Sequence, residues 1–212
     1  MNRKILYNFV KRTIDVISAL IALILLAPIM LIIAIIIKLD SKGSAIFVQD
    51  RVGKNGKIFK FYKFRTMRVD VDPYGFSPKD FNDPRITRIG KFLRRFSLDE
   101  LPQFINVLKG DMSLVGPRPL LPWQYEKWTE HQKRRCEVKP GLTGWAQVKG
   151  RASLTHEDKI ELDIWYVDNA NLWLDIKIIL MTFIRVIKGE DILEKKYSKN
   201  EPEQDTEISK SE

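Results

Sequence analysis

Residues 16–37 read VISALIALILLAPIMLIIAIII, an apolar run of 22 residues interrupted only by Ser18 and Pro28. At about 1.5 Å per residue it could cross a bilayer once as a helix. Two features point to another geometry. Pro28 lies near the middle, where it removes a backbone donor and kinks a helix. Both flanks are basic, with Arg3, Lys4, Lys11 and Arg12 before the run and Lys38 and Lys42 after it. A spanning helix carries its Lys/Arg excess on the cytoplasmic side only. The pattern therefore predicts a helix broken at Pro28 that enters one leaflet and returns. A secretory signal has a shorter apolar stretch and a small-residue cleavage site, and this run has neither feature. Asp15 follows Lys11 and Arg12 by about one helical turn, which predicts pairing within the helix at the edge of the lipid.

Outside this run the chain reads as a charged soluble protein. Its 212 residues suit one domain plus the membrane segment, and its formal charge is +9. A basic body fits anionic lipid, nucleic acid or a phosphorylated substrate. Cys136 is the sole cysteine, which excludes an intrachain disulfide, and His131 and His156 are the two histidines. So small a set of soft ligands does not point to a His/Cys zinc site. The organisation expected is a membrane helix over 1–40, a catalytic domain over 41–193 and a disordered polar tail over 194–212.

Within the body, Ser44–Gln49 and Lys57–Phe64 are β-like runs joined through Asn55-Gly56, the signature of a hairpin. Lys60, Lys63, Arg65 and Arg68 interleave with Phe59, Phe61, Tyr62 and Phe64, a pattern that a solvated strand edge also produces. The stretch 69–83 reads as a loop. Arg85, Arg88, Lys91, Arg94 and Arg95 form a basic helix. Ser97 and Glu100 have capping-box spacing, so Asp99 and Glu100 fall in a first helical turn, and Gly110 ends that helix. Residues 122–135 read as a surface helix, and 139–141 and 143–145 as turns. Residues 155–169 read as a helix capped by Thr155. Leu172–Ile187 is either a core helix or an amphipathic helix in the headgroup region, and Trp165, Tyr166 and Trp173 favour membrane contact.

Asp99 and Glu100 are the candidate reactive groups. Acidic residues also stabilise helix N-termini, so position alone is not decisive. Their setting adds weight, because five basic residues precede them and Arg118 follows. A carboxylate near arginines is expected to stay ionised, as a nucleophile must. Arg94 and Arg118 are the expected phosphate clamp. Pro117 and Pro119 hold Arg118 on a stiff extended backbone.

Taken together, these motifs resemble the bacterial sugar transferases, or monotopic phosphoglycosyl transferases, over residues 11–188. The resemblance rests on Lys11-Arg12 with Asp15, the break at Pro28, Tyr62 to Met67 (YKFRTM), Ser97 to Gln103 (SLDELPQ), Asn106 to Ser113 (NVLKGDMS), Gly116 to Pro119 (GPRP) and Lys139 to Val148 (KPGLTGWAQV). It implies an α+β, mostly helical monotopic membrane protein with a re-entrant helix, a short β-hairpin and interfacial helices, similar to the small branch of the family. Asp99 would attack the β-phosphate of a UDP-sugar, assisted by Glu100. Polyprenyl phosphate, usually undecaprenyl phosphate, would then accept the phosphosugar at the cytoplasmic face of the inner membrane. Mg²⁺ is the implied cofactor, with Asp99 as ligand. Arg65, Arg94 and Arg118 would surround the phosphates, with Pro117 and Pro119 supporting the nucleotide site. Downstream glycosyltransferases are possible partners, and nucleic acid is not expected. Ala27 stands where some members have serine before the proline.

Two other classes fit parts of the pattern. A membrane-tethered basic binding protein explains the charge and the apolar run, but not an acidic pair set among arginines. A lipid-phosphate hydrolase explains the pair, but would release free phosphate or sugar phosphate instead of UMP.

Overall fold

The computed structural model describes residues 3–72, 78, 80, 82–150 and 154–188. The expected tail over 194–212 lies outside these, as do positions 73–77, 79 and 81 of the loop read over 69–83. The described chain is mostly helical, with two small two-stranded sheets.

Helix α1, Arg3–Asp40, is helical throughout and contains Pro28. Its burial is confined to the two flanks of the apolar run. Ala19 packs with Phe61, Val107 and Met112. Ile33 and Ile37 pack with Ala45, Phe64 and Leu93. Between them, from Leu20 to Ile32, no residue is buried. Both flanks thus rest on one strand, at Phe61 and Phe64, while the apolar middle is uncovered.

The Lys11, Arg12 and Asp15 group fastens α1 to the domain, by contacts other than the intrahelical pairing expected of it. Asp15 is 3% exposed and accepts hydrogen bonds from the Leu114 amide at 2.9 Å and the Ser113 hydroxyl at 3.1 Å. Arg12 donates to the carbonyls of Val107 at 2.7 Å and Leu108 at 2.9 Å, satisfying a helix end. Lys11 pairs with Asp175 at 2.8 Å. Tertiary partners take these side chains because a helical neighbour could not also satisfy the amide and carbonyls they meet.

Strands β1 (Ile46–Val52) and β2 (Ile58–Phe64) form the expected hairpin, antiparallel with Val52 opposite Ile58. Asn55 at φ 56° and Gly56 at φ 77° make its turn. The basic helix is α2, Arg88–Arg95, capped by Thr87, so Arg85 lies outside it. Helix α3 spans Gln103–Lys109 and stops at Gly110, whose φ of 91° favours glycine. Asn106 joins α3 to β2, donating to the Lys60 carbonyl at 2.7 Å and accepting from the Tyr62 amide at 3.1 Å.

Beyond α3, residues 122–135 are not one helix. They divide into α4 (Pro122–Glu126), α5 (Glu130–Lys133) and the start of a 3-10 turn (Arg134–Glu137). Trp128 turns inward at the break, and Thr129 with Gln132 caps a new helix. The turns expected over 139–145 include strand β4 (Gly141–Thr143), parallel to β3 (Ser113–Val115), and lead into α6 (Trp145–Lys149). Thr155 caps α7 (His156–Asn169) as expected. Helix α8 (Leu172–Lys188) combines its two readings. Leu174 and Ile178 join a core with Val115, Trp145, Val148 and Tyr166. Trp173, Ile176, Leu180, Phe183 and Ile184 are exposed on the remaining surface.

Candidate active site

Helix α2 ends at Phe96, and Ser97 takes a left-handed conformation at φ 54°. A non-glycine residue there is uncommon and reverses the chain direction locally. The expected capping box is therefore absent. Asp99 and Glu100 lie in a 3-10 turn, Leu98–Glu100, and α3 begins three residues later. Leu98 and Leu101 anchor this turn in the core beneath α1 and α2. Asp99 in this turn is only 9% exposed.

Three cations, from α2, β2 and the segment after β3, face the acidic pair. Arg118 donates to Glu100 at 2.8 Å. Arg94 comes from α2, and its Nε donates to the Thr66 hydroxyl at 2.8 Å. Gly90 makes this docking possible, because a Cβ there would overlap the Thr66 carbonyl. Lys63 comes from β2 and lies 5.1 Å above the Phe47 ring.

Burial, then the neighbouring Glu100 charge, pushes the Asp99 carboxyl up to about 6, while Lys63, Arg94 and Arg118 oppose the rise. Arginines nearby do not hold it in the usual carboxylate range. That value still lies below neutrality, so the carboxylate form expected of a nucleophile is retained. Burial, then the Arg94 charge, lowers the Lys63 ammonium to about 8, with Asp99 opposing.

The arrangement can hold an anionic ligand against a buried carboxylate. A magnesium ion fits only as a shared ion. Among the described residues no three His, Cys, Asp or Glu side chains converge on a metal position. Asp99 with Glu100 could supply one or two oxygens, leaving substrate phosphates and water to complete the shell, as magnesium commonly allows.

Of the expected site residues, Asp99, Glu100, Arg94 and Arg118 come together. Arg65 is occupied elsewhere. It is buried, and its guanidinium donates to the Ser44 carbonyl at 2.6 Å and to the Ser41 hydroxyl and carbonyl, both at 2.9 Å. It ties down the turn that follows α1. Lys63 is the site residue that sequence reasoning passed over. Lys60 and Arg68 do behave as a solvated edge, each paired with an aspartate, Asp50 and Asp70. Pro117 and Pro119 line a shallow cleft beside Arg118, with Val52, Gly53 and Trp128.

Residues 6–189 match the description "Bacterial sugar transferase". A galactosyl transferase of Streptococcus agalactiae is 48% identical over 191 residues, covering 84% of this chain and 42% of that protein. An uncharacterised sugar transferase of Bacillus subtilis is 46% identical over 86% of this chain and 89% of its own length. The UDP-glucose:undecaprenyl-phosphate glucose-1-phosphate transferase of Escherichia coli is 44% identical over 86% of this chain and 40% of its own length. The chain thus spans less than half of two of these relatives and most of the third. With its family match running through α1, the acidic pair and α8, this chain belongs to the bacterial sugar transferase family.

Proposed function

We propose that this chain transfers a sugar-1-phosphate from a UDP-sugar to a polyprenyl phosphate, with undecaprenyl phosphate as the acceptor, and releases UMP. The observation that carries the proposal is a buried carboxylate, Asp99, facing Lys63, Arg94 and Arg118 beside Glu100. Relatives named as undecaprenyl-phosphate sugar phosphotransferases support this choice of substrates.

In the first step an Asp99 oxygen attacks the β-phosphorus of the donor. The bond between that phosphorus and the bridging oxygen breaks, and the electron pair leaves with UMP. In the second step a polyprenyl phosphate oxygen attacks the same phosphorus. The Asp99 carboxylate is released, and polyprenyl diphosphate sugar forms. Lys63, Arg94 and Arg118 stabilise charge on the phosphoryl oxygens, the usual role of such clamps. Glu100 fixes Arg118 through their ion pair and is available to orient the lipid phosphate. Magnesium, held by Asp99, would neutralise diphosphate charge. Arg65 has no part in the clamp. The nucleotide end of the donor points to the cleft lined by Pro117 and Pro119.

The acceptor requires a membrane-bound enzyme. We read α1 as re-entrant and the domain as lying on the cytoplasmic face of the inner membrane. This reading is supported by the packing of both flanks of the apolar run on one domain and by the uncovered middle between them. The exposed apolar residues of α8 add an interfacial surface. The product would serve downstream glycosyltransferases.

The test is an assay in nanodiscs with Mg²⁺, undecaprenyl phosphate and a panel of UDP-sugars. Equal yields of UMP and lipid diphosphate sugar from one donor are expected. Release of inorganic phosphate or free sugar phosphate would replace the transferase with a hydrolase.

A further inference from the structure

Arg118 stands on a segment that cannot fix itself. Pro117 and Pro119 have no amide hydrogen to donate, so the segment is held through its carbonyls. The Pro117 carbonyl accepts from the Gly141 amide at 2.9 Å. The Pro119 carbonyl accepts from Arg51 at 3.3 Å. The Leu120 carbonyl accepts from the Val52 amide at 2.9 Å. The carbonyl of Arg118 itself accepts from the Arg135 guanidinium at 3.0 Å. Two of these four ties come from backbone amides. The tie at Arg118 depends on a side chain, and that side chain is itself fixed.

Arg135 and Asp163 form a buried ion pair, with side chains 4% and 3% exposed, and the same Arg135 nitrogen that meets Arg118 also meets Asp163. The guanidinium lies 5.1 Å above the Trp128 ring. Asp163 belongs to α7, which packs Ile160 and Ile164 against Trp128. A buried ion pair is a poor source of stability, since desolvating two charges offsets most of their attraction. Its chemical use here is geometric. It delivers a directed donor from a well-packed helix to the backbone of a half-exposed arginine.

We propose that Arg135 and Asp163 are positioning residues for Arg118, setting how the enzyme grips the donor diphosphate. Asp163 lies outside the cleft assigned to the nucleotide, and Arg135, which lines its wall with a side chain only 4% exposed, turns its guanidinium to Asp163 and the Arg118 carbonyl. They act by holding the Arg118 carbonyl, and through it the start of the side chain that pairs with Glu100. This inference rests on the transferase reading above. It adds that α7, remote in sequence from the acidic pair, governs donor binding through one hydrogen bond.

The test compares donor KM, lipid KM and UDP binding by calorimetry for wild type, Arg135→Lys and the double variant Arg135→Met with Asp163→Leu. The lysine keeps the charge but loses the planar guanidinium that lies over Trp128 and holds one nitrogen in fixed directions toward both acceptors. The double variant replaces both charges with apolar groups, a change that buried pairs often tolerate. Donor KM and UDP Kd should each rise about tenfold in both variants, with lipid KM unchanged. The same substitutions made in an Arg118→Ala background should add nothing, because the residue they act through is gone. Unchanged donor KM in either folded variant would overturn the proposal, as would a tenfold effect that persists without Arg118. Wild type that neither binds UDP nor releases UMP would instead remove the transferase reading, and this inference with it.

Discussion

Burial draws Asp99 and Lys63 toward their neutral forms, raising the carboxyl and lowering the ammonium. For Asp99 the folded value lies above the unfolded one, so the stability penalty is absent below the unfolded pKa near 4. It grows as pH rises and is complete above the folded value of about 6. Asp99→Asn should therefore melt higher than wild type at neutral pH in EDTA, by up to about 3 kcal/mol, and lose that advantage as pH falls to 4. An equal gap at both pH values would contradict this assignment. Lys63→Met should lower UMP release about a hundredfold while leaving the fold intact by circular dichroism. The acidic pair and Arg118 were legible because their types and spacing are unusual. Lys63 was not, since a lysine among strand aromatics looks the same whether it faces water or a site. Arg65 showed the reverse limit. The family resemblance placed it at the phosphates, but its guanidinium is bonded to Ser41 and Ser44 in the turn after α1.

Among the elements, α2 and the turn after it set the site by close approach. Alanine ordinarily stabilises a helix over glycine by about 1 kcal/mol. At Gly90 the sign should reverse. A methyl group would push α2 away from Thr66, so Gly90→Ala should cost about 1–3 kcal/mol in urea melts and weaken donor binding through Arg94. A stabilised Gly90→Ala variant would show that this contact does not position the clamp. The hairpin, the cap at Thr155 and the stop at Gly110 could be read directly, because each depends on local chemistry. The Ser97–Glu100 spacing misled, since the core takes Leu98 and Leu101 and forces Ser97 left-handed. The β3–β4 pair was hidden for a different reason. Strands of three residues show no periodicity, and their pairing joins Ser113 to Gly141 across the chain.

For the whole molecule, the decisive property is where α1 leaves its two ends. In a Cys136→Ser background, single cysteines at Lys4→Cys and Lys42→Cys should react with an impermeant thiol reagent from the same side of sealed vesicles. Reaction from opposite sides would mean that α1 spans the bilayer. The apolar run and its basic flanks were legible as a membrane segment. The fastening of Lys11 to Asp175 and Arg12 to α3 was not, because those partners lie far along the chain. The function proposed for this chain rests on a covalent step at Asp99. It is tested most directly by intact-protein mass spectrometry after mixing enzyme, Mg²⁺ and the active UDP-sugar without lipid acceptor. Wild type should gain the mass of one phosphosugar and release one equivalent of UMP, and Asp99→Asn should do neither. An unmodified wild type that still releases UMP once lipid is added would mean that lipid attacks the donor directly and that Asp99 is not the nucleophile.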